Sequence, residues 1–179
     1  MKILKTILFV IVGLVGLLLL TALFVKKDYA VEREIIINKP KQEVFDYIRL
    51  LKNQNNFSKW ASLDPAMKTS FKGTDGTVGF ISAWESKNDN VGAGEQEITK
   101  IAEGERIDYA LRFKVPFESN SDAYMITEDA GNNTTKVKWG FSGKYDYPMN
   151  IMNLLMDMDK AIGGDFELGL SNLKKIMEK

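Results

Sequence analysis

The run Ile7–Val25, ILFVIVGLVGLLLLTALFV, contains no charge and lies between Lys2 and Lys5 on one side and Lys26 and Lys27 on the other. As an α-helix rising about 1.5 Å per residue it would span about 28 Å, close to the ~30 Å hydrocarbon core of a bilayer. Fifteen of its residues are Leu, Ile, Val or Phe, each favouring insertion by about 0.3 to 0.6 kcal/mol near the bilayer centre. Such a helix has no polar face to turn to water, so residues 1–27 are expected to be a transmembrane anchor, leaving 28–179 as a separate domain. A cleavable signal would need an apolar stretch of about 7–15 residues followed by small side chains, whereas Lys26-Lys27-Asp28 follows here. The flanking charges differ little. Lys2, Lys5 and the amino terminus narrowly outweigh Lys26 and Lys27 beside Asp28, which favours a single pass with the domain on the non-cytoplasmic side.

About 150 residues remain, enough for one domain with its own core. They hold all three Trp, all six Tyr and eight of the ten Phe. The 22 bases and 24 acids after Val25 leave a charge near −2, without the basic cluster that nucleic-acid binding requires. The chain has no Cys and no His. That excludes disulfides, Cys/His zinc sites, Cys nucleophiles and His-based acid–base pairs. Carboxylates fall singly along the strands, so neither a metal nor a cofactor is expected, and Gly73, Gly76 and Gly79 read as hairpin glycines because no helix opens after them.

Tyr29–Asn38 alternates as a strand. Pro40 ends it and starts an amphipathic helix over Lys41–Leu51 that carries Val44, Phe45 and Ile48. Asn53–Trp60 reads as a second short helix. Five further strands are expected at Met67–Phe71, Thr77–Glu85, Glu95–Ile101, Arg106–Lys114 and Ser119–Glu128, with a last one at Thr135–Tyr145. Val78, Phe80, Ser82 and Trp84 would share one face of their strand. Asn132 and Asn133 each begin an N-x-T sequon but fit a tight turn better. Apolar positions from Ile151 to Met177 then recur every three or four residues, predicting one long helix over Pro148–Glu178 that Gly163-Gly164 would weaken or kink.

This order resembles the START-like helix-grip superfamily, in particular its polyketide cyclase/dehydrase and lipid-transport group. The likeness is carried by Ile37–Ile48 (INKPKQEVFDYI), the Phe57-Ser58-Lys59-Trp60 step and the Phe166–Leu173 end of the last helix (FELGLSNL), and it covers about residues 30–178. It implies an α+β fold in which a curved antiparallel sheet of about seven strands wraps a long C-terminal helix, following one N-terminal transmembrane helix. It also implies a cavity between sheet and helix. By strand parity the inward set is Phe80, Ser82, Trp84, Gln96, Ile98, Tyr109, Leu111, Phe113, Met125, Trp139 and Phe141, capped by Leu155, Met158 and Ile162. These residues would either line a ligand pocket, with Ser82, Gln96 and Tyr109 as polar contacts, or pack against one another as core.

Three functional readings follow. The first is a noncatalytic carrier or sensor for a hydrophobic, lipid-derived molecule, held at the bilayer by residues 7–25. The second is an enzyme resembling polyketide cyclases, although no acid–base constellation is visible once His is absent and Glu97, Asp108 and Arg112 point outward. The third is a tethered interaction domain with a collapsed interior and protein partners unspecified. The connection from Val25 to the first strand is short enough to hold the domain close to the membrane surface.

Overall fold

The computed structural model describes residues 2–179. Helix α1 covers Lys2–Ala22, and its length and apolarity suffice to cross a membrane. Its two threonines do not break the apolar surface with free hydroxyls: Thr6 Oγ1 donates to the Lys2 carbonyl at 3.1 Å and Thr21 Oγ1 to the Leu17 carbonyl at 2.8 Å. Such back-bonding satisfies the hydroxyl within the helix.

Strand β1 (Asp28–Ile37) follows after a five-residue link. Helix α2 (Lys41–Arg49) buries Val44, Phe45 and Ile48. The expected second helix over 53–60 divides into a 3₁₀ segment, Leu51–Asn56, and helix α3, Lys59–Leu63. The division has a local cause: the Asp75 carboxylate accepts from the backbone N–H of Leu51 at 2.8 Å and of Lys52 at 3.3 Å, satisfying the first turn of the 3₁₀ segment, and the chain extends again at Ser58. Strands β2 (Lys68–Lys72), β3 (Ile81–Glu85), β4 (Ala93–Ala102), β5 (Arg106–Val115), β6 (Ser119–Gly131) and β7 (Thr134–Lys144) complete the sheet. Its order is β1-β7-β6-β5-β4-β3-β2, with every neighbouring pair antiparallel. Register shifts at Ala93/Gly94 and Ile98/Lys100 on β4 are the bulges that bend the sheet. Asn132 and Asn133 take φ of 54° and 57°, the left-handed pair of a tight β6–β7 hairpin turn.

Two expectations are corrected. Strand β3 begins at Ile81, not Thr77, because Thr74–Gly79 forms a closed turn in which Gly79 has φ +86°. Val78 is therefore exposed and does not share a face with Phe80. The C-terminal helix is not continuous from Pro148 to Glu178. A 3₁₀ turn (Met149–Ile151) and helix α4 (Met152–Leu155) end at an extended Met156, and helix α5 (Met158–Met177) starts afresh with the Asp157 carboxylate accepting from Lys160 N–H at 3.2 Å. The weakening or kink expected at Gly163-Gly164 does not interrupt the helix. α5 runs through both glycines, and a Cβ at Gly163 would strike the Arg33 guanidinium. That glycine lets Arg33 of β1 lie against the helix and pair with Asp159 and Glu167, each at 2.7 Å.

Candidate functional site: the hollow half of the domain

The strand register defines two ends of the sheet. Asp28 pairs with Lys144, Phe113 with Ser119, Ala93 with Val115 and Lys68 with Glu85, so these residues mark the end at which α1 joins, here the anchor end. At the opposite end the interior is solid. Ile37, Ile98, Ile107, Tyr109, Met125 and Val137 form one buried cluster with Val44, Phe45 and Ile48 of α2 and Leu170 and Leu173 of α5.

Toward the anchor end α2 no longer fills the concavity, and a cavity of about 450 Å³ remains, within the range of small-molecule sites. Trp139 of β7 stacks on Phe166 of α5 with ring centroids 4.7 Å apart, and Trp60 of α3 stands edge-on to both. Across the cavity Trp84, Phe113, Phe141 and Tyr29 form a second aromatic chain with centroid spacings of 5.9, 6.5 and 6.0 Å. Gly169 allows the first wall to close up, since a Cβ there would lie 2.7 Å from the Trp139 ring. Met158 and Ile162 of α5 cover the cavity.

Among these apolar surfaces sits Gln96, directly opposite Ser82 on β3 and Leu111 on β5. It is 8 % exposed and its Nε2 has no hydrogen-bond partner. A buried donor left unpaired costs about 1–3 kcal/mol. The titratable residues of the lining are Tyr29, Asp89 and Tyr145. Burial raises the Tyr29 hydroxyl pKa, which keeps it protonated and makes it a weaker acid, and Asp89 lies on the exposed β3–β4 loop. Among the described residues no group of three or more His, Cys, Asp or Glu is arranged to hold a metal ion.

Of the expected site residues, Ser82, Trp84, Gln96, Leu111, Phe113, Trp139, Phe141, Met158 and Ile162 line the cavity. Phe80, Tyr109 and Met125 do not; each is within the solid cluster, as is Ile98. Burial, with Asp108 and Asp75 nearby, raises the Tyr109 hydroxyl pKa further, and this side chain is core, not a polar contact. Leu155 is 74 % exposed because α4 ends there and the chain turns before α5, so it cannot cap the interior. Sequence reasoning missed Tyr29, Trp60, Val91, Tyr145 and Phe166 as lining residues. Tyr29 and Phe166 carried a usable signal, the first sharing parity with Val31 and the second lying on the apolar face of the last helix. Val91, in a loop, carried none.

The family model described as polyketide cyclase / dehydrase and lipid transport matches residues 29–178. No curated protein matches the sequence. Solved structures with the same fold include truncated norcoclaurine synthase from Thalictrum flavum (TM-score 0.63, 10 % identity, 85 % of this chain and 94 % of that one). A protein from Chromobacterium violaceum (0.59, 12 %, 84 % and 97 %) and the Aha1 dimer from Colwellia psychrerythraea (0.58, 13 %, 84 % and 96 %) are similar in the same sense. At such identities the likeness concerns the helix-grip fold alone.

Proposed function

The chain belongs to the polyketide cyclase/dehydrase and lipid transport family, and on that premise we propose that it is a membrane-anchored binding protein for an apolar, lipid-derived small molecule. Helix α1 crosses the bilayer, and the cavity between sheet and α5 holds the ligand without transforming it. The observation that carries this reading is Gln96, a buried carboxamide with an unpaired Nε2 in a chamber walled mainly by aromatic and aliphatic groups, with Ser58, Thr69, Ser82 and Ser121 among them. A ligand with an apolar body and one carbonyl, ester or hydroxyl oxygen would satisfy that donor and fill the chamber together. Catalysis would require a positioned acid or base, and the only carboxylate in the lining is on an exposed loop. Native mass spectrometry of the full chain released from nanodiscs tests the proposal. A retained adduct of lipid-like mass is expected; a uniformly empty chain that also fails to take up added fatty acid would refute it.

A further inference from the structure

The last turn of α1 is fastened to the domain. Asn150 Nδ2 donates to the carbonyls of Ala22 at 2.6 Å and Val25 at 2.9 Å, and Asn153 Nδ2 donates to those of Lys26 at 2.9 Å and Lys27 at 3.2 Å. Asn150 is fully buried. The segment from Pro148 to Met156 therefore lies at the level of Ala22–Lys27, where the apolar run gives way to charge. Around this level the surface is apolar: Met149, Leu154 and Leu155 are exposed by 57 %, 61 % and 74 %, and Phe117, in the β5–β6 loop at the same end of the sheet, by 81 %. The cavity reaches this surface as well. Six of its nine exposed lining residues, Asp89, Asn90, Val115, Pro116, Ser119 and Met156, lie in loops or at strand ends at the anchor end.

We infer that the anchor end of the domain is itself a bilayer-contact surface, with Phe117 on one flank and Met149, Leu154 and Leu155 on the other dipping into the headgroup–acyl boundary, so that the cavity exchanges its ligand laterally with the adjoining leaflet. This rests on the reading of α1 as membrane-spanning. The occupant is a lipid surface because the apolar residues continue the surface of α1 at the depth fixed by Asn150 and Asn153. The fixed charges nearby are mixed, Lys26, Lys27 and Lys144 against Asp28, Glu118 and Asp146, so the contact is apolar rather than electrostatic and responds little to salt.

The chain has no cysteine, so single substitutions can be labelled without background. Leu14→Cys, Phe117→Cys, Leu155→Cys and Val78→Cys, each carrying an environment-sensitive fluorophore, are compared in the full chain in phosphatidylcholine nanodiscs. Val78 is exposed at the opposite end of the sheet. Lipids spin-labelled deep in the acyl chain should quench the label at Leu14, and lipids spin-labelled near the headgroup should quench those at Phe117 and Leu155, at low and high salt alike, while Val78 keeps its emission. Quenching at Leu14 with Phe117 and Leu155 indistinguishable from Val78 would overturn the contact surface and leave the anchor standing. Absence of quenching at Leu14 would overturn both.

Discussion

Asn150 Nδ2 and the Ala22 carbonyl oxygen, 128 residues apart in sequence, lie 2.6 Å from each other in a buried hydrogen bond. The last four carbonyls of any helix lack intrahelical partners, and here a side chain from the β7–α5 connection supplies what water would otherwise provide. The link between α1 and the domain is thus a pinned joint as well as a short one. We expect the double variant Asn150→Ala/Asn153→Ala to increase tryptic cleavage at Lys26–Lys27 in nanodiscs while leaving the unfolding temperature of the domain unchanged. Equal cleavage rates would show that the joint is held by something else.

Gln96 offers a test in which stability and binding move in opposite directions. Replacing it with Leu removes an unpaired buried donor, so the empty protein should gain stability, by about 1 kcal/mol in urea unfolding. Ligand retention should fall about ten-fold, the equivalent of roughly 1.4 kcal/mol for one lost hydrogen bond. A purely structural glutamine would lower stability on substitution and leave retention unaffected.

The division into solid and hollow halves predicts unequal costs for similar truncations. Met125→Ala, in the packed cluster, should lose about 2–5 kcal/mol, as buried large-to-small changes do. Phe113→Ala borders empty space and should lose distinctly less in the ligand-free protein, since its ring already lacks neighbours on one side. Chemical denaturation of both variants decides, and equal losses would mean that the cavity closes in solution.

Acid should destabilise the domain through identifiable pairs. The Arg33 guanidinium holds the Asp159 carboxyl below its ordinary value, Arg112 does so for Glu95, and Lys138 for Glu128. For carboxylates lowered in the folded state, the stabilisation is present above the unfolded pKa of about 4 and is lost as pH falls through the folded values. The melting temperature should therefore vary little with these groups above pH ~5 and drop below pH ~4. Asp159→Asn should make the acid limb shallower, and an unchanged limb would exclude the Arg33 pair as a contributor.

Much of the architecture was legible because alternation and 3.6-residue periodicity are imposed by burial. Ile107, Tyr109, Leu111 and Phe113 alternate with polar neighbours, and the four do face inward or into the cavity. Parity reports which face a side chain takes, however, and not how far along the strand the core extends. That depends on where α2 ends against the sheet, and it separates Tyr109, in the core, from Leu111, in the cavity wall. The break before α5 was hidden for a related reason. Leu155 and Met158 keep helical spacing in the sequence, while the capping Asp157 that starts a new helix between them looks like any surface acid. Gly163 reads in the sequence as a weak point of the helix, whereas in the fold its missing side chain admits Arg33.

All three tryptophans, Trp60, Trp84 and Trp139, line the cavity, so their fluorescence reports its occupancy directly. Titrating the full chain in nanodiscs with a brominated fatty acid should quench this emission saturably at one molecule per chain. The Ala123→Phe variant, which fills the cavity floor, should lose the saturable phase. Quenching that rises without saturation, and identically in both proteins, would contradict the claim that this chamber binds an apolar ligand.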